Sequence, residues 1–179
     1  LKQVFKEAQK LTKHYPNSLI LWNSMGAAAI QIGQLDEAVT ACQQAISIKP
    51  DYAEAYINMG TAFKEQGKLD EAIEAYNKAL AIKPDNADAY NNMGNALQEQ
   101  GKLEKAIEAY NKAIEIEPDF ADAWKNLHFS LQALKMKLSP NENINLHYPT
   151  DVKSNYAKTN LCLLDYKLHR GRESEGFYL

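Results

Sequence analysis

Small and apolar residues return along this chain at a fixed interval. Between Leu19 and Phe120 an aromatic residue, an apolar residue three positions later and an adjacent glycine recur as Trp22-Met25-Gly26, Tyr56-Met59-Gly60 and Tyr90-Met93-Gly94. That i, i+3, i+4 spacing marks one face of a helix. A second glycine (Gly33, Gly67, Gly101) stands where a left-handed residue would end the helix. A second amphipathic stretch then places alanines at Ala38, Ala72 and Ala106, and again at Ala45, Ala79 and Ala113. Proline (Pro50, Pro84, Pro118) stops this second helix, because the residue before a proline is pushed out of the helical region. The aspartate after each proline (Asp51, Asp85, Asp119) suits the start of the next helix, as a cap or against its dipole. The pattern predicts an all-α chain of helix pairs with small residues where the two helices meet.

The interval is 34 residues: EQGKLDEAIEAYNKALAIKPDNADA from Glu65 becomes EQGKLEKAIEAYNKAIEIEPDFADA from Glu99. Such self-similarity means stacked copies of one supersecondary unit. The complete units are 19–52, 53–86 and 87–120, and positions below are counted from the first residue of each. W/Y-x2-M-G, A-x3-Y and A-x4-P at this period resemble the tetratricopeptide repeat. The resemblance implies a right-handed superhelical solenoid of antiparallel helix pairs, and it extends outward in both directions. Residues 1–16 read as a half repeat, with Val4, Ala8, Leu11 and Pro16 at positions 20, 24, 27 and 32. Residues 121–138 read as a partial repeat, with Trp124, Leu127 and Leu131 at positions 4, 7 and 11. There His128 and Lys135 replace the two glycines, and Pro140 stands where the close-packed alanine belongs, so a single helix should run to about Leu138. The array is thus expected to span 1–138. A loop follows over 139–150, then an irregular region over 151–179 with a helix and a degenerate repeat or cap.

Composition narrows the function classes. The chain is 24% charged, its mean hydropathy is −0.49, and no apolar run approaches a membrane span. A net charge of −3 with interleaved signs argues against a nucleic-acid surface, which would show a basic stripe. The only arginines are Arg170 and Arg172, so bidentate anion recognition is no theme of the repeats. Cys42 and Cys162 are isolated, and Cys42 falls on an apolar stripe as a small core residue. His14, His128, His147 and His169 lie in separate elements without ligand spacing. There is no phosphate-binding glycine loop, G-x-S-x-G or H-E-x-x-H. No catalytic residue, cofactor or metal is expected, and the expected compartment is intracellular.

The resemblance places the binding face on the first helices, at positions 2, 5, 6, 9, 12 and 13, which line a concave groove for a peptide. These positions hold Asn23, Ser24, Asn58, Thr61, Asn91, Asn92, Asn95 and Asn126, the candidate site. An amide side chain offers a donor and an acceptor, and so can pair with the backbone of an extended ligand. The arrangement resembles the asparagine ladder in the repeat domain of O-linked N-acetylglucosamine transferases. In other members of the family, repeats that clamp a chaperone's C-terminal carboxylate use lysine at position 5. Here position 5 holds Asn23, Ile57 and Asn91, and position 2 is acidic at Glu54, Asp88 and Asp122. The clamp is therefore missing.

The leading expectation is a non-catalytic interaction scaffold that binds a protein or peptide, with neither nucleic acid nor membrane as partner. Two alternatives stand beside it. Since Leu1 begins inside an amphipathic pattern, the chain reads as a piece of something longer, such as the N-terminal targeting arm of a repeat-bearing glycosyltransferase. The third is self-association through uncovered solenoid ends, with Val4, Phe5, Ala8 and Leu11 at one end and Phe177, Tyr178 and Leu179 at the other.

Overall fold

The computed structural model describes residues 2–138, and the loop and C-terminal helix expected over 139–179 lie outside them. The described residues form eight α-helices and no strands: α1 (Lys2–His14), α2 (Leu19–Gln31), α3 (Leu35–Ile48), α4 (Ala53–Glu65), α5 (Leu69–Ile82), α6 (Ala87–Glu99), α7 (Leu103–Ile116) and α8 (Ala121–Leu138). Each helix packs against the next in sequence, and the first helices also touch across units, α2 with α4, α4 with α6 and α6 with α8. The result is an all-α solenoid.

Glycine and proline set the helix ends by different means. Gly33, Gly67 and Gly101 adopt φ of +76°, +75° and +73°. At the end of α2 the Gly33 N–H donates to Ile30 O at 3.0 Å and the Gln34 N–H to Ala29 O at 2.9 Å, the paired bonds of a Schellman motif. The residues before the prolines, Lys49, Lys83 and Glu117, have φ near −130° and ψ near 90°. Steric conflict with the following pyrrolidine ring forces that extended turn.

The helix starts differ from the aspartate reading. The N-caps of α4 and α6 are Tyr52 and Asn86, one residue beyond Asp51 and Asp85. Asn86 Oδ1 accepts from the Ala89 N–H at 2.8 Å, whereas Tyr52 makes no side-chain cap. The aspartates lie one residue before the N-caps, where their charge faces the positive end of the helix dipole.

Between paired helices the alanines at 38, 72, 106, 45, 79 and 113 are fully or almost fully buried. Gly60 and Gly94 meet the rings of Tyr76 and Tyr110, and a Cβ on Gly94 would lie 2.5 Å from Tyr110 Cε1. In the first complete unit Cys42 stands in the tyrosine's place, against Gly26. Cys42 is fully buried, and burial pushes its thiol pKa up to about 12.

Each repeat is also tied to its neighbour by polar bonds. Gln66 Nε2 donates to Asp36 Oδ1 and Gln100 Nε2 to Asp70 Oδ1, both at 2.8 Å. Trp22 Nε1 donates to Pro16 O at 2.7 Å, and Trp124 Nε1 to Pro118 O at 2.8 Å.

The outer units deviate as their sequences do. On α1 the buried residues are Phe5, Ala8 and Thr12, while Val4 and Leu11 are 55% and 41% exposed. Val4 and Leu11 occupy the alanine positions that face a unit's own first helix, whereas Phe5 and Ala8 join the core that includes Met25 and Ala28 of α2. On α8, Leu127, Ser130 and Leu134 are buried, and the helix runs unbroken through Lys135, where complete units have glycine.

Candidate functional site

Because α2, α4, α6 and α8 touch in succession, they present one shared face, and the candidate residues lie along it. Asn58 Nδ2 donates to Asn23 Oδ1 at 2.9 Å, and Asn126 Nδ2 donates to Asn91 Oδ1 at 3.0 Å. These bonds join position 5 of one unit to position 6 of the next. Whichever amide donates, each pair keeps one carbonyl oxygen and one amino group uncommitted to its partner. Asn91 is the buried member, and Asn23, Asn58 and Asn126 are half-buried.

Ile57 occupies position 5 between these two pairs, so Asn92 has no amide opposite it. Asn92 is half-buried and makes no hydrogen bond among the described residues. Ser24, the first residue of the position-6 series, is exposed.

Thr61 and Asn95, both at position 9, turn towards the paired second helix. Thr61 Oγ1 donates to Ile57 O at 3.0 Å and lies 3.2 Å from Tyr76 OH. With the threonine proton committed to Ile57 O, the tyrosine is the donor. Tyr110 OH lies 2.8 Å from Asn95 Oδ1 and 3.0 Å from Gln98 Oε1, two acceptors for its single proton. Ser130 Oγ also donates to Gln98 Oε1 at 2.8 Å, joining α8 to the network. Burial pushes the Tyr76 phenol up to about 12 and Tyr110 further in the same direction. Both tyrosines therefore remain neutral donors across the ordinary pH range, and their position-9 partners help to satisfy the buried hydroxyls.

Charge on the face is mostly negative. From α2 to α6 it carries Glu54, Glu65, Asp88 and Glu99 against the single ammonium of Lys64. Lys64 Nζ lies 3.0 Å from Glu65 Oε1 and 4.0 Å from Glu99 Oε1, bridging two units. Phe129 on α8 is 48% exposed, an apolar side chain at the end of the asparagine series. Its signal in the sequence was a large aromatic residue at position 9, where the other units have Ala27, Thr61 and Asn95. Among the described residues no cluster of His, Cys, Asp or Glu could hold a metal ion, and no helix is long and apolar enough to cross a membrane.

A TPR repeat model matches twice, at residues 26–67 and 60–101, and a tetratricopeptide repeat model matches residues 87–120. Together they span more than half of the chain, which belongs to the tetratricopeptide repeat family. Domains of this family are protein–protein interaction modules, generally non-catalytic. No curated protein gives a significant match. Among solved structures, the crystal structure of MamA is similar at 23% identity and a TM-score of 0.69, covering 94% of this chain and 89% of that one. The first TPR domain of human RPAP3 is 26% identical with a TM-score of 0.66, covering 69% and 98%. The first TPR of Spaghetti (RPAP3) bound to the HSP90 peptide SRMEEVD is 26% identical with a TM-score of 0.63, covering 65% and 92%.

Proposed function

We propose that this chain is a non-catalytic scaffold that holds an extended protein segment in a concave groove along α2, α4, α6 and α8. One observation carries the reading. The pairs Asn23–Asn58 and Asn91–Asn126 each keep a free acceptor and a free donor, and Asn92 between them keeps its whole amide. That is the complement of a peptide backbone, which presents one N–H and one C=O per residue. Each bond to a ligand would contribute only about 0.5–1.5 kcal/mol net, so affinity requires several rungs acting together.

An RPAP3 TPR domain bound to an HSP90 peptide is among the similar structures, which supports a peptide as ligand. The acidic SRMEEVD sequence itself does not suit this face, which lacks lysine at position 5 in its complete units. The test is a peptide-array screen with Asn92→Ala as control. The reading expects hits that the substitution weakens without lowering the melting temperature. Hits indifferent to Asn92→Ala would place binding elsewhere.

In the same proposal, residues 1–138 act as one array of a half repeat, three complete repeats and a partial repeat. Self-association is a second reading, favoured by the exposed Val4 and Leu11 on α1 and Tyr15 just beyond its end. Sedimentation at several concentrations tests it: association that Val4→Glu abolishes would support it, and a monomer throughout would exclude it.

A further inference from the structure

We infer, resting on the groove reading above, that the ligand this face selects is a basic extended segment with lysine or arginine at about every third residue. Glu54, Asp88 and Asp122 stand four residues before Asn58, Asn92 and Asn126, so each shares a helix face with its asparagine. All three are exposed, and none makes an ion pair among the described residues. Glu65 and Glu99 follow Asn58 and Asn92 by two turns and line the other margin of the same face. The asparagines therefore run between two margins of carboxylates.

The face already shows how it treats a cation. Carboxylates from adjacent units, Glu65 and Glu99, converge on the ammonium of Lys64. On the opposite margin Glu54 and Asp88 repeat the arrangement without a lysine on the first turns of α4 and α6, and Lys125 stands one turn after Asp122 on α8.

Geometry sets the register. Packed helices lie about 8–10 Å apart, and a segment extended as polyproline II advances about 3.1 Å per residue with three residues per turn, so every third side chain faces the same way. One unit of the solenoid therefore spans about three ligand residues. A side chain recurring every third residue meets successive carboxylates while the backbone between passes the asparagines. Acidic segments meet like charge at every step, which costs affinity and suppresses wrong partners.

The test uses the full chain and three labelled peptides, identical except for lysine, glutamine or glutamate at every third residue, titrated by fluorescence anisotropy. The lysine peptide should bind roughly ten-fold tighter than the glutamine peptide, as three exposed ion pairs would give, and the glutamate peptide should bind weakest. The variant E54Q/D88N/D122N should abolish that advantage, whereas E71Q/E104Q/E108Q on the second helices should leave it intact. Equal loss in both variants would reduce the effect to diffuse charge and overturn the inference. Equal binding of all three peptides, with Asn92→Ala still weakening them, would overturn the inference and leave the groove reading standing. Binding by none of them, or binding that Asn92→Ala does not weaken, would bring down both.

Discussion

Gly94 and Tyr110 occupy one another's space: the ring lies so close to the glycine that a Cβ there would sit 2.5 Å from Cε1. The same relationship joins Gly60 to Tyr76, at 2.7 Å. A bare backbone on the first helix lets the tyrosine of the second lie flat against it and send its hydroxyl on towards position 9. Gly94→Ala should therefore destabilise the chain by about 1–3 kcal/mol, the usual cost of overpacking a core. Combining it with Tyr110→Cys, which puts at 110 the smaller residue that faces the first helix at Cys42, should cost less than the sum of the two single changes. Urea unfolding of the four proteins in the cycle measures the difference.

Cys42 should be inert to thiol reagents in the folded chain. Its thiol is fully buried with a pKa near 12, so the reactive thiolate at pH 8 amounts to roughly one part in ten thousand. In a Cys162→Ser background, labelling should appear only as denaturant unfolds the array. Rapid labelling without denaturant would show that the core around α2 and α3 opens readily.

Alkaline pH should weaken the fold. The folded-state pKa of Cys42 is raised from 9.0 to about 12 and that of Tyr76 from 10.0 to about 12. Above pH 9 the unfolded chain loses these protons while the folded chain keeps them, so unfolding becomes easier. The stabilisation is complete below about pH 9 and is lost progressively as pH rises towards 12. Melting temperatures between pH 8 and 11 should fall, and Cys42→Ala should flatten the early part of that fall.

Two asparagines in the same repeat position should behave differently. Asn58→Ala breaks the bond to Asn23 and leaves a half-buried amide with one partner fewer, which costs about 0.5–1.5 kcal/mol. Asn92→Ala breaks no bond among the described residues and should leave the melting temperature within experimental error. Calorimetry of the two variants separates them.

Periodicity made the architecture legible because glycine and proline act locally. A positive φ at Gly33, Gly67 and Gly101 and an extended residue before each proline follow from the residue alone. Contacts between units were less legible. The 34-residue period lines up Asn58, Asn92 and Asn126 as one row, yet the bonds run from position 6 to position 5 of the preceding unit, 35 residues away. That stagger depends on how neighbouring helices pack, which a repeat length does not encode. For the same reason the sequence placed Val4, Phe5, Ala8 and Leu11 alike at an uncovered end, whereas only Val4 and Leu11 are exposed and Phe5 and Ala8 are buried in the core with Met25 and Ala28 of the next unit. The recurring Gln66–Asp36 and Gln100–Asp70 bonds had a signal in the repeated EQGKL segment, but composition gave no cause to pair residues 30 positions apart.

The central claim is that the inner face of the first helices is the binding surface. Chemical-shift mapping of the full chain with the lysine-bearing peptide tests it most directly. Perturbations should concentrate on α2, α4, α6 and α8, including the side-chain amides of Asn23, Asn58, Asn92 and Asn126. Perturbations concentrated on α3, α5 and α7, with the asparagine amides unmoved, would contradict it.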